Sequence, residues 1–119
     1  MRVRLALFGA VLCFCLTPIL SAQDAVKVDS KHYTVVTEND QVRVLKAHYG
    51  PHEKSVMHSH PATVAVFLTD GHYRFTYPDG RTEEIRTQAG QVQHFAAFQH
   101  NAENLSAQPF ELIAVELKK

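Results

Sequence analysis

Turn-forming residues divide this chain into short segments, and this division is the feature that most constrains its fold. Gly, Pro, Asn and Asp recur between stretches that are rich in Val, Thr, Tyr and Phe. Short strands alternate with turns in this way in β-sandwiches and β-barrels. No segment shows the apolar spacing of an amphipathic helix. The sequence therefore predicts an all-β domain.

The predicted strands occupy residues 33–37, 42–49, 56–60, 63–69, 72–77, 82–87, 91–95, 100–104 and 109–117. Asp70-Gly71 lies between two apolar segments and is the strongest hairpin signal in the chain, because Asp-Gly favours the tight turns of hairpins. Apolar residues at both parities in 64–68 predict a strand that is covered on both faces. Two packed sheets would supply that environment.

The first 22 residues have the pattern of a secretory signal peptide. Arg2 and Arg4 flank the start of an apolar run, 5–16, which is shorter than the ~20 residues of a membrane-spanning helix. Ala22, followed by Gln23, offers a small residue at the cut. We predict cleavage there and a secreted or periplasmic location without a stable membrane anchor. The alternative is an uncleaved anchor.

The part that remains after cleavage contains no cysteine, because Cys13 and Cys15 lie in the signal. Residues 23–31 are polar and predict an N-terminal tether, and 32–119 predict the barrel domain. The 12 basic and 12 acidic residues of the chain balance, which argues against a nucleic-acid partner. A small core without disulfides predicts a homodimer that buries a sheet face or edge, with Ala65 and Phe67 as the candidate outward residues.

Two histidines on one predicted strand are the centre of the functional prediction. His58 and His60 are two residues apart, so their side chains point the same way, ~6.5 to 7 Å apart at the backbone. Two imidazoles converging from that separation can share a metal at ~2.1 Å each. A polar strand face or a buried, hydrogen-bonded histidine is the structural alternative.

The residues around this pair resemble the first motif of the cupin superfamily. That motif has a glycine, an H-x-H pair, a glutamate four or five positions on, and a second glycine. Gly50, His58, His60 and Gly71 match it, whereas the glutamate position falls on Val64, which cannot ligate a metal.

The second cupin motif resembles residues 89–104, in which Gly90, His100 and Asn104 match and the usual proline does not. The resemblance implies a double-stranded β-helix, or jelly-roll barrel, with frequent dimerisation. It also implies that His58, His60 and His100 hold one divalent metal ion. Its identity is open among Fe, Zn, Ni, Cu and Mn, and three neutral imidazoles leave it the full charge that attracts a small anionic or chelating ligand.

Other side chains are weaker candidates for the same site. His94 is a candidate fourth ligand or catalytic acid/base group, and a surface histidine is the alternative. His48 could approach the barrel mouth. Glu53 is the nearest carboxylate that could replace the missing one, although a solvated loop glutamate is the favoured interpretation. The remaining histidines are expected to be exposed: His32, His52 and His72.

Three functions fit these residues, and whether the chain is an enzyme stays open. The first is a metal-dependent enzyme acting on a small molecule, with dioxygenation as the leading reaction and isomerisation next. The second is a non-catalytic module that binds a metal or a small ligand in the envelope. The third is a partner-binding β-domain with a vestigial site. The missing glutamate favours the second over the first, and the intact histidine set argues against the third.

Overall fold

Nine strands and one short helix make up the part of the chain that the computed structural model describes, residues 23–119. They are α1 (Ala25–Val28), β1 (Tyr33–Glu38), β2 (Val42–Tyr49), β3 (His58–His60), β4 (Thr63–Phe67), β5 (Gly71–Thr76), β6 (Thr82–Thr87), β7 (Val92–Phe95), β8 (Phe98–Asn104) and β9 (Phe110–Leu117). Every predicted strand is present. The predicted signal peptide lies outside the described residues.

The strands form two antiparallel sheets that enclose an apolar core. The larger sheet has the order β1-β2-β9-β4-β7, and the smaller has the order β3-β8-β5-β6. Strands that are neighbours in a sheet are often distant in sequence, as in a jelly roll. The predicted all-β class is confirmed. Within residues 23–119, no helix combines the length and apolar character that crossing a bilayer requires.

The Asp70-Gly71 turn joins the two sheets, so the predicted hairpin is wrong. Strand β4 pairs with β7 and β9, whereas β5 pairs with β6 and β8. Gly71 lacks the positive φ that a type I′ turn requires. Gly80 and Gly90 are the glycines with a positive φ among the described residues. Close packing explains Gly71 instead, because a Cβ there would lie 2.9 Å from Thr87 Oγ1. The packing of two sheets overrides the local turn signal.

Strand β4 alternates between the barrel interior and the outer face of the larger sheet. Thr63, Ala65 and Phe67 are buried, whereas Val64 and Val66 are half-buried on the outer face. The prediction that Ala65 and Phe67 point outward is therefore wrong. Successive side chains of a strand point to opposite faces, so an error of one residue places every side chain of the strand on the wrong face.

The segment predicted as a tether, 23–31, is instead packed on the barrel. Asp24 accepts a hydrogen bond from the backbone N–H of Val26 and so begins helix α1, and Ala25 is fully buried. The backbone N–H of Ser59 donates to the carbonyl of Gln23 at 2.7 Å. Because β3 is an edge strand, this contact satisfies an edge that would otherwise be open.

Candidate metal centre

Strands β3 and β8 bring three histidines together. His100 lies directly opposite His58 in the antiparallel pair, and His60 is on the same face of β3. The ring centroid of His58 lies 4.7 Å from that of His60 and 4.8 Å from that of His100. The potential ligand nitrogens of the three rings lie within 4.8 Å of one another, which is comparable to twice a metal–nitrogen bond of ~2.1 Å.

The hydrogen bonds of the rings leave nitrogen atoms free to bind a metal. His58 Nδ1 donates to the carbonyl of Val56 at 2.8 Å, and His60 Nδ1 donates to Glu116 Oε2 at 3.0 Å. Each ring therefore keeps Nε2 for a ligand bond. Within the described chain, His58 Nε2 and both nitrogens of His100 are buried without a hydrogen-bond partner. Buried polar atoms are rarely left unpaired, and a metal ion would satisfy these.

Burial holds two of these imidazoles in the neutral form. It lowers the pKa of His58 to about 4, and the neighbouring His60 adds to the effect. Burial likewise lowers the pKa of His100 to about 2, with further contributions from His58 and His60. A metal binds the neutral imidazole, so both rings are in the ligating form at neutral pH.

An apolar cavity lies beside the cluster, with His60 and His100 in its wall. A volume of about 50 Å³ is open to the centre of a water molecule, which is enough for a few waters or a small ligand. No lysine, arginine or carboxylate of residues 23–119 lines it. Aromatic rings dominate its wall: Tyr33, Tyr49, Phe67, Tyr73, Phe75, Phe95, Phe98 and Phe110.

Two tyrosine hydroxyls form a pair close to the histidines. Tyr33 and Tyr49 share a hydrogen bond of 2.6 Å, and the ring of Tyr33 lies 4.8 Å from that of His58. Burial raises the pKa of both phenols well above the ordinary value, so they remain protonated. The sequence analysis did not single them out, although both occupy inward positions at strand ends.

The position assigned to the missing cupin glutamate shifts by one residue. Val64 lies on the outer face, where its partner on β7 is His94. Ala65 is 3% exposed and lines the cavity. Since a shift of one residue moves a side chain to the other face, the motif position corresponds to Ala65. Assignment to Val64 is wrong, but alanine cannot ligate either, and the cluster still lacks a carboxylate.

The weaker candidates do not join the cluster, which corrects their proposed roles. His94 is exposed on the outer face of β7. His48 is exposed on β2, and its Nδ1 lies 2.9 Å from Glu111 Oε1. Glu53 does not replace the missing carboxylate, because its Oε2 lies 2.8 Å from His32 Nε2.

His32 is buried, contrary to the prediction that it is exposed. It is 5% exposed, and its Nδ1 lies 2.8 Å from Asp29 Oδ1. Its ring stacks on Tyr49 with centroids 4.4 Å apart. The imidazole thus ties the turn after α1 to the cavity wall. His52 is exposed, as expected, and has a positive φ of 59°.

Glu116 is a site residue that the sequence analysis missed. It is 2% exposed, and besides accepting the bond from His60 it pairs with Arg43 at 2.6 Å. A signal was available in the alternation of β9. Phe110 and Ala114 point inward, so a glutamate two residues after Ala114 occupies an inward position.

Comparison with known proteins supports the fold. No protein-family model and no curated protein matches the chain in sequence. A cupin domain from Bordetella pertussis is 25% identical with a TM-score of 0.68, over 73% of this chain and 92% of that one. A conserved protein with a double-stranded β-helix domain from Klebsiella pneumoniae is 22% identical with a TM-score of 0.58, over 71% and 74%. A cupin 2 conserved barrel domain protein from Salinispora arenicola is 19% identical with a TM-score of 0.55, over 74% and 76%.

The double-stranded β-helix of the Klebsiella pneumoniae protein agrees with the two-sheet strand order of this chain. Histidines from both cupin motifs meet on adjacent strands of the smaller sheet. The chain belongs to the cupin superfamily, as the sequence resemblance implies.

Proposed function

We propose that this cupin binds one divalent metal ion through His58, His60 and His100. The observation that carries the proposal is the convergence of three buried imidazoles whose potential ligand nitrogens lie within 4.8 Å of one another. A set of neutral imidazoles suits Fe, Zn, Ni or Cu, and Mn remains a candidate. Three protein ligands leave coordination positions for a further molecule.

The cavity supports a small ligand that contacts the metal at one end. Because no cationic side chain of the described residues lines the cavity, the metal would be the only positive charge available to an anionic group. Aromatic rings would surround the rest of the molecule. The ligand would therefore have one metal-binding, anionic or chelating group on a compact apolar body.

A dioxygenase-type reaction is the catalytic form of this proposal. A bound metal would supply Lewis acidity or redox chemistry, while the apolar wall would exclude water and orient the ligand. No carboxylate base of residues 23–119 lines the cavity, so isomerisation has less support. Three tyrosines line the cavity and could donate a hydrogen bond to a ligand: Tyr33 and Tyr49, whose hydroxyls bond to each other, and Tyr73, whose buried hydroxyl has no partner.

The alternative is a non-catalytic module that binds a metal or a small ligand. It needs the three histidines and the cavity, but no acid/base group. For either function we propose a secreted or periplasmic location, on the basis of the signal-like residues 1–22. The balanced charge of the chain gives no support to a nucleic-acid partner.

Metal analysis of the purified full chain, without a tag, tests the metal site. We expect one divalent ion per chain in the wild type and a large loss in the His58→Ala variant. A wild-type protein that takes up no divalent metal would contradict the proposal and favour a partner-binding domain. If the metal binds, dioxygen consumption by the Fe²⁺-loaded protein separates an enzyme from a binding module. The probes are small aromatic compounds that carry an oxygen group able to bind the metal.

A further inference from the structure

A line of alternating charges connects His60 with the N-terminal segment. Glu116 Oε2 accepts the hydrogen bond from His60 Nδ1 at 3.0 Å. Arg43 Nε donates to Glu116 Oε1 at 2.7 Å, and Arg43 Nη2 donates to Asp24 Oδ2 at 2.5 Å. Asp24 in turn accepts the backbone N–H of Val26. The line thus runs from the histidine cluster to the start of helix α1.

The sheet register holds the middle of this line in place. Arg43 on β2 is directly opposite Glu116 on β9, and Thr63 on β4 is opposite Glu116 on the other side. The side chain of Glu116 is 2% exposed and that of Arg43 is 18% exposed. The carboxylate therefore has a defined position between two strands rather than a mobile one at the surface.

Stability alone is a poor explanation for this arrangement. Burying a carboxylate and a guanidinium costs desolvation energy that their attraction often fails to recover, and apolar residues of similar size commonly serve as well. Glu116 also occupies a position whose inward neighbours on β9 are apolar. A histidine that binds a metal, by contrast, usually donates its second N–H to a carboxylate, which fixes the tautomer and the ring orientation.

The charge of the donor set leads to the same conclusion. Three neutral imidazoles offset none of the charge of a divalent ion, and the inward motif position is occupied by Ala65. Among the described residues, Glu116 is the carboxylate that hydrogen-bonds a ring of the cluster. It would supply a negative charge one imidazole away from the ion.

We propose that Glu116 is the positioning residue of the metal centre, and that the Arg43–Asp24 pair holds Glu116 in that role. Glu116 orients His60 so that Nε2 faces the ion, and it partly replaces the charge of the missing cupin glutamate. The N-terminal segment thereby contributes to metal affinity through Asp24, although it contains no ligand. This inference rests on the proposed metal site.

The test compares two glutamates of the same strand by calorimetric titration of the full chain with Zn²⁺. We expect Glu116→Gln to weaken Zn²⁺ binding by about 10- to 100-fold, the usual effect of losing the carboxylate behind a ligating histidine. Glu111→Gln is the matched control, because Glu111 also contacts a histidine but lies on the outer face. The Zn²⁺ affinity of Glu111→Gln should equal that of the wild type. The visible spectrum of bound Co²⁺ should change in Glu116→Gln and not in Glu111→Gln.

A second variant separates positioning from folding. Glu116→Gln leaves Arg43 without its buried partner, so the variant loses stability for reasons unrelated to metal. The double variant Arg43→Met/Glu116→Gln removes both charges, and we expect it to recover stability in the metal-free form but not Zn²⁺ affinity. Asp24→Asn should have a smaller effect, about 2- to 5-fold, as expected for a partly exposed ion pair.

The possible failures are distinguishable. A wild-type chain that binds neither Zn²⁺ nor Co²⁺ overturns the metal site itself. A wild-type chain that binds Zn²⁺, together with a folded double variant of equal affinity, overturns the role of Glu116 and leaves the site intact. A folded double variant with weakened affinity and an altered Co²⁺ spectrum supports the proposal.

Discussion

Strand β9 carries two glutamates that each contact a histidine, one on each face of the sheet. Glu116 lies 3.0 Å from His60 Nδ1, and Glu111 lies 2.9 Å from His48 Nδ1. The side chains of the first pair are 2% and 6% exposed, whereas those of the second are 30% and 53% exposed. The two pairs have nearly equal distances and opposite surroundings.

The difference shows that burial, rather than the distance between the two groups, decides how much such a contact contributes to stability. Water and ions screen an exposed pair, which contributes about 0–1 kcal/mol to stability. A buried pair cannot lose one member without leaving an uncompensated polar group. Glu111 and Glu116 are an odd number of residues apart, so strand geometry alone sends them to opposite faces.

Removing a histidine should give the largest difference in Zn²⁺ affinity between substitutions on the inner face and on the outer face. We expect His60→Ala and His100→Ala to weaken Zn²⁺ binding by about 100-fold or more, because each removes one of three ligands. His48→Ala should bind Zn²⁺ as the wild type does, since His48 lies on the outer face. Calorimetric titration measures all three. Unchanged affinity in the first two variants would mean that the cluster is not the metal site.

Glutamate substitutions on β4 should show the same contrast with a smaller effect. Ala65→Glu places a carboxylate in the cavity, and we expect about 10-fold tighter metal binding with a shift toward Fe²⁺ or Mn²⁺. Without metal, the same variant should lose about 2–3 kcal/mol of unfolding free energy, because its carboxylate is buried without a partner. Val64→Glu, on the outer face, should leave the metal affinity unchanged. Denaturant unfolding with and without metal distinguishes them, and a reversed result would place Val64 inside.

Acid should destabilise the metal-free protein through the inner face. The pKa of His58 is about 4 in the folded chain against 6.5 for the unperturbed group, so the unfolded chain binds more protons between these values. The unfolding free energy should therefore fall as pH falls from 6.5 toward 4, by up to about 1.4 kcal/mol per pH unit for each buried ring. Denaturant unfolding in EDTA at pH 7, 6 and 5 measures it, and a flat profile would contradict buried, neutral histidines.

The smallest expected effect follows from substitution on the outer face. It is a twofold change in the mass of the protein in solution. Val64 and Val66 lie beside Val115 and Ile113 of β9, and we propose that a second copy of the chain covers this apolar face in a homodimer. Val66→Lys should then give the mass of one chain by light scattering. Val36→Lys, on β1, serves as the control and should remain a dimer. A wild-type mass of one chain would rule the dimer out.

Much of the fold follows from local sequence signals. Alternating β-branched and aromatic residues predict the strands, and β2 has the predicted bounds. The position of His58 and His60 on one face follows from strand periodicity. The meeting of these residues with His100 could be suggested only through the family resemblance, because they lie about 40 residues apart and come together through sheet pairing.

The errors have a common physical cause. The predicted roles of Asp70-Gly71 and Val64 depend on which sheet, or which face, a residue joins, and a shift of one position reverses the answer. The packing of Gln23 on the edge of β3 and the contact of Glu116 with His60 depend on partners distant in sequence. Local composition contains no information about such partners.

The alternation of β4 also separates two kinds of evolutionary change within five residues. Substitutions at 63, 65 and 67 alter the shape and chemistry of the cavity, while substitutions at 64 and 66 alter the outer surface. A lineage could therefore alter the cavity without changing the outer surface, or the reverse, by single changes in neighbouring codons. One short strand lets selection act on the two properties independently.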